Sequence, residues 1–217
     1  MTRFLPLLLA ALLLIGGGVY YMSQNNGSVP GVSIAGAQDA DVEPAPDMVM
    51  GDENAPVTVI EYASFTCPHC ANFHDTVFKE LKKNYIDTGK IKFVHREVYF
   101  DRFGLWAGMI ARCGGEDRYF GLTNLIYAGQ EEWIGDGDPG NILANLRKLG
   151  RTAGMNDEQM DACLQDEAMA QSMVAAYQKN ATADEINATP SFVIDGETYS
   201  NMSYEEFAKL IDEKLGS

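Results

Sequence analysis

Basic residues are scarce in this chain. Sixteen Lys and Arg stand against 31 Asp and Glu, for a formal charge of −15 over 217 residues. No basic cluster offsets the imbalance, so the footprint of a nucleic-acid binder is missing. The acidity serves solubility first and says little about a substrate. Histidine and cysteine are scarcer still, at three and four. Cys67, Cys70, His74 and His95 are the candidate donors for a metal, and Cys67-x2-Cys70-x3-His74 has tolerable spacing. A structural zinc site brings a second C-x2-C or H-x3-H pair, and none follows, so no metal is expected. Internal repeats and low-complexity tracts are also lacking beyond residue 50. With 46% hydrophobic residues, the chain has material for one sizeable core and one domain with an insertion.

The N-terminus carries an export signal. Met1–Arg3 supply a positive end, Phe4–Ile15 an almost unbroken apolar run, and Gly16–Met22 its extension. Residues 1–22 are therefore expected to be a signal peptide or an N-terminal inner-membrane anchor. Ala35-Gly36-Ala37 is a small-x-small cleavage pattern well beyond the run, and about 18 or more apolar residues also suffice to span a bilayer. With Arg3 inside, all that follows Met22 lies outside. No Cys follows the run, which argues against a lipoprotein-type anchor. Either outcome places the folded part in an oxidising compartment, the periplasm, where disulfides persist.

Residues 23–50, rich in Gly, Ser, Asn, Ala, Asp and Pro, read as a linker, and the folded domain is expected to start near Asn54. Pro56–Tyr62 is β-rich and reads as a strand. From Pro68 to Tyr85 the apolar residues Phe73, Val77, Phe78 and Leu81 recur at helical spacing, with Pro68 in the first turn. Ile91–Val98 reads as a second strand, with Ile91, Phe93 and His95 on one face. Residues 102–180 read as helices. Leu105, Met109, Ile110 and Cys113 form one stripe, Tyr119–Ala128 a second and Asn141–Leu149 a third, and Asn156 with Gln159 opens a fourth. Ser191–Ile194 and Glu197–Tyr199 flank the turn signal Asp195-Gly196, and Ser203 with Glu206 starts the last helix. The order β-α-β, helical block, β-β-α predicts an α/β fold, a mixed sheet with helices packed on it.

Cys67-Pro68-His69-Cys70 carries the chemistry. At a helix start, unpaired backbone N–H groups and the positive end of the dipole favour thiolate over thiol. Thiolate is the nucleophile of disulfide exchange, and a low-pKa thiol is also the better leaving group. Cys67 is thus the exposed sulfur and Cys70, one turn deeper, the buried resolving one. Positive charge on His69 would favour the Cys67 thiolate and make the disulfide more oxidising. Glu61, six residues earlier on a strand, would lie beneath the dithiol and take or return the Cys70 proton. Thr189-Pro190 precedes a buried-looking strand. A cis bond there would turn the Thr189 backbone toward the dithiol, ready to pair with an extended substrate.

The run Glu61-Tyr62-Ala63-Ser64-Phe65-Thr66-Cys67-Pro68-His69-Cys70, with Thr189-Pro190-Ser191-Phe192-Val193 downstream, resembles the DsbA-like thiol oxidoreductases of the thioredoxin superfamily. The resemblance covers about residues 50–215. It implies a thioredoxin fold with an inserted all-helical subdomain, divided as 51–101 and 181–217 for the thioredoxin part and 102–180 for the insertion. It also implies donation of the Cys67–Cys70 disulfide, without another cofactor, to newly exported proteins bearing cysteine thiols. A membrane partner then reoxidises the monomeric protein. Thr189 departs from the Val that precedes the cis-proline in the DsbA pattern and looks like the residue found in disulfide isomerases. An isomerase or reductase is therefore the alternative, with a non-catalytic metal or folding chaperone further off.

Cys113 and Cys163 remain. In an exported protein two leftover cysteines most simply pair, closing a loop of about 50 residues worth roughly 4 kcal/mol. His74 is expected to face solvent, and His95 to be a hydrogen-bonded core or edge residue.

Overall fold

A computed structural model describes residues 42–216. The N-terminal signal or anchor and most of the expected linker lie outside them. Among the described residues, no helix is long and apolar enough to cross a membrane.

The chain forms β1 (Met48–Gly51), β2 (Val57–Ala63), α1 (Pro68–Asp75) and α2 (Val77–Leu81), which runs on as a π-helical turn over Lys82–Ile86. Next come β3 (Ile91–Glu97) and six helices: α3 (Arg102–Cys113), α4 (Glu116–Ala128), α5 (Gln130–Ile134), α6 (Pro139–Thr152), α7 (Asp157–Leu164) and α8 (Glu167–Ala183). The chain returns through β4 (Ser191–Ile194) and β5 (Glu197–Ser200) to α9 (Tyr204–Leu215). One sheet has the order β1-β3-β2-β4-β5. Only β2 and β3 are parallel, and β1, β4 and β5 join antiparallel. A mixed sheet with helices on it is what the element order predicts.

Alternation along β2 and β3 sets the two faces. Val57 and Val59 share a face with Ile91 and Phe93, and against them pack Phe73, Phe78 and Leu81 of α1 and α2 and Phe207 and Ile211 of α9. Tyr62 points the other way and packs with Val193 and with Ala181 of α8. A further cluster joins Ala63, Phe65 and Cys70 to Ile110, Leu122, Trp133 and Ile142 of the helical block.

Two expectations need correction. The linker read as 23–50 ends earlier, because Met48–Gly51 pairs with Lys92–His95 as an edge strand. Asp47 bonds Arg96 at 2.9 Å, and the Pro46 carbonyl accepts from Arg112 at 3.0 Å. The helix read as Pro68–Tyr85 is interrupted at Thr76, whose φ of −113° leaves the helical range. Its hydroxyl bonds back to the Asn72 carbonyl at 2.7 Å, the backbone competition that makes mid-helix Thr disruptive.

Candidate active site

Strand β2 ends at Ala63, and Ser64–Thr66 turn the chain so that Cys67 caps α1 with extended backbone (φ −84°, ψ 118°) and Pro68 follows in the first turn. Two side chains from the helical side, Gln130 and Asp101, hold this turn. Gln130 Nε2 donates to the Phe65 carbonyl at 2.8 Å and to the Cys67 carbonyl at 3.0 Å. Thr66 Oγ1 donates to Asp101 Oδ2 at 2.7 Å. Asp101 also caps α3 by accepting from Phe103 and Gly104.

The two sulfurs differ sharply. Cys67 is half-buried, Cys70 is fully buried, and neither is in a disulfide. The Cys67 pKa is lowered from 9.0 to about 5. The hydrogen bond from Cys70 contributes most and outweighs burial, helped by the Thr189 hydroxyl and the backbone N–H groups of Cys70 and His69. The Cys70 thiol moves the other way. Burial pushes it up, and the hydrogen bond to Cys67 and the charge of Glu61 push further. One sulfur is thus an anion ready to attack or leave, while the other needs a proton acceptor before it can react.

Thr189-Pro190 is cis, and the Thr189 carbonyl lies 3.5 Å from Cys67 Sγ. A groove of about 340 Å³ opens there, lined by His69, Asn187–Ser191, Ser200 and Asn201. The hydrogen bond that His69 gives Cys67 comes from its backbone, whereas the sequence pointed to its imidazole.

Glu61 is fully buried, between His95 of β3 and Phe192 of β4 in the strand registers, and lies near enough for its charge to raise the Cys70 thiol. Its Oε2 is 2.9 Å from His74 Nε2 and 4.0 Å from His95 Nε2. His74 is therefore not the solvent-facing residue expected. Seven positions after Cys67 it lies on the buried side of α1, 5% exposed, and its ring stacks on Tyr127 at 4.2 Å. His95 is a hydrogen-bonded core residue, as read. Its Nδ1 is 2.7 Å from the Tyr119 hydroxyl and its Nε2 3.3 Å from that of Tyr127. Tyr119 donates to Glu97 Oε1 at 2.8 Å, and Arg112 grips both oxygens of Glu97 at 2.8 and 2.6 Å. Gln130, Tyr119, Tyr127 and Glu97 escaped the sequence reading. All but Glu97 come from the helical block, and no local pattern marks a partner dozens of residues away.

Away from the dithiol, Cys113 and Cys163 form a disulfide joining the end of α3 to α7.

A half-buried reactive sulfur at a helix start, a buried second sulfur and a cis-proline loop facing the first define a dithiol centre on a thioredoxin-like sheet. The Thioredoxin family model matches residues 43–213, and the chain belongs to that family. It is 36% identical over 170 residues to a putative protein-disulfide oxidoreductase of Rickettsia prowazekii, covering 78% of this chain and 61% of that one. The chain thus spans about three-fifths of the length of that relative. Disulfide bond formation protein D of Bacillus subtilis is 26% identical, over 77% of this chain and 76% of its own. Among solved structures, alpha-DsbA1 of Wolbachia pipientis superposes with a TM-score of 0.73 at 28% identity, covering 81% of this chain and 94% of its own.

Proposed function

We propose that this chain is a protein thiol:disulfide oxidoreductase that donates the Cys67–Cys70 disulfide to newly exported proteins. The unequal pair carries the reading. A substrate thiolate attacks Cys67 Sγ of the disulfide, and Cys70 leaves and takes a proton in its buried position. The second substrate thiol then attacks the mixed disulfide and expels Cys67 as the stable thiolate. The substrate loses two electrons, and the protein ends as thiolate plus thiol. A leaving group whose pKa lies near 5 favours that expulsion. The groove beside Thr189 and Pro190 would hold the substrate backbone in extended form. The resident redox group is the disulfide itself.

The direction of flow follows from what stabilises the reduced form. Every hydrogen bond to the Cys67 thiolate favours reduced protein and so makes the disulfide a stronger oxidant. Thr189, the residue that suggested an isomerase, acts in the same direction, because its hydroxyl lowers the Cys67 pKa. The Bacillus subtilis relative is named for disulfide bond formation, which agrees with this direction, while the Rickettsia relative is named only as a putative protein-disulfide oxidoreductase. The apolar N-terminal run supports a periplasmic site of action, where a membrane partner would reoxidise the pair.

Trapping cellular thiols in acid and alkylating them reads the steady-state form. The expected result is a mostly oxidised Cys67–Cys70 pair. A mostly reduced pair overturns donation and supports an isomerase or reductase. Copper retained through dialysis, with no oxidation of a reduced protein, would instead indicate a chaperone.

A further inference from the structure

Glu61 is a fully buried carboxyl with one hydrogen-bond partner among the described residues, His74. Its other oxygen, Oε1, and His74 Nδ1 are both buried and unpartnered. The groups facing this pocket come from five elements. They are Glu61 on β2, His95 and Glu97 on β3, Cys70 and His74 on α1, Arg112 on α3, and Tyr119 and Tyr127 on α4.

The roles of the two histidines follow from proton counting. Burial alone would push Glu97 up, but the charge and hydrogen bonds of Arg112 prevail and hold it below the ordinary carboxylate range. Glu97 is therefore an acceptor, and the single Tyr119 proton goes to it. Tyr119 oxygen must then accept from His95, which fixes the His95 proton on Nδ1. Nε2 is left as a bare acceptor for the Tyr127 hydroxyl. Burial also keeps His95 neutral by lowering its pKa. Both His95 nitrogens are thus committed. His74 differs: one nitrogen faces the carboxylate and the other is unpartnered. It alone has a place for a second proton.

We infer that Glu61 and His74 act as one proton-holding pair for Cys70, with His95 locked out of the exchange by Tyr119. His74 is a positioning residue that works through Glu61. The inference rests on the proposed dithiol chemistry and deepens it. When Cys70 closes on a mixed disulfide at Cys67, the Cys67–Cys70 bond forms and the bond to the outgoing sulfur breaks. The outgoing thiolate takes the electron pair, and the Cys70 proton passes to the pair. The pair changes from one net negative charge to zero, the direction a buried site favours. In disulfide donation the same proton returns to Cys70.

Reduced full-length chain treated with Ellman's reagent tests this. The first aryl thiolate leaves as Cys67 is capped, and the second leaves, independent of reagent concentration, as Cys70 closes the ring. His74→Gln keeps a donor for Glu61 but removes the second proton site. The expected result is a second phase slowed on the order of tenfold, with an altered pH profile, matched by Glu61→Gln, while His95→Gln keeps the wild-type profile. A His74→Gln second phase equal to wild type, or slowed equally at every pH, overturns the inference and leaves the dithiol reading standing. A wild-type protein that never releases the second thiolate overturns both. Should the variant fail to fold, an indicator dye in weak buffer decides with the wild type alone. The second phase is expected to release no proton at neutral pH, and a full proton per thiolate overturns the inference.

Discussion

Cys67 is anionic at neutral pH because four donors converge on it, and this makes its reactivity titrate in an unusual place. Its alkylation rate should fall to half near pH 5, where an ordinary cysteine would do so near 9.0. Iodoacetamide trapping of the reduced protein across pH reads this directly, and a midpoint near 9 would remove the physical basis of the site. The same shift links to stability. The folded pKa lies below the unfolded one, so the contribution is complete above about pH 9 and fades as pH falls, vanishing below about 5. The oxidised protein has no Cys67 thiol to titrate. The stability of the reduced form relative to the oxidised should therefore be greater at neutral pH than at pH near 4, as denaturant melts of both forms would show. At this scale the sequence displayed the residues whose spacing is itself chemical: Cys67, Cys70, and Thr189-Pro190. The position of Glu61 was legible because strand alternation puts it on the face covered by a helix that starts seven residues later. His74 was not, because α1 breaks at Thr76 and its short run of apolar residues leaves its buried side ambiguous.

Among the elements, the short helix α5 has a role out of proportion to its five residues. Gln130 at its start is the one link from this helix to the backbone around Cys67. Gln130→Ala would leave the buried Phe65 carbonyl without that donor. The expected cost is about 1–3 kcal/mol in denaturant unfolding, with a loss of exchange rate from a less fixed Cys67. An unchanged rate alongside that loss would show that α5 supports the fold and not the geometry of the dithiol. Element boundaries were legible where capping chemistry marks them. Asn156 accepts from Gln159 N, and Ser203 with Glu206 forms the full capping box read from the sequence. They were illegible where tertiary pairing decides. Strand β1 has four residues and exists because β3 offers it an edge, and the helical pattern over 102–180 does not show the separate course of α8.

For the whole molecule, element order foretold a mixed sheet but not its strand order, which depends on contacts between segments far apart in sequence. The helical block is inserted in sequence yet not independent in space. Its Leu122, Trp133 and Ile142 lie in one cluster with Ala63, Phe65 and Cys70 of the dithiol side. A shared core predicts shared unfolding. The Cys113–Cys163 bridge lies wholly inside the block and spans 50 residues, with Cα atoms 6.0 Å apart. Restricting a loop of that length in the unfolded chain is worth about 4 kcal/mol in the chain-entropy account. Replacing both cysteines by Ser should therefore lower Tm by roughly 10 °C for a domain of this size. Because the core is common, the variant should still melt in one transition, with near-UV and far-UV circular dichroism coincident. A Tm within a degree or so of the parent would mean the bridge constrains little that the core does not already fix. Two separated transitions would mean that the block folds by itself and that the cluster around Cys70 does not couple it to the sheet.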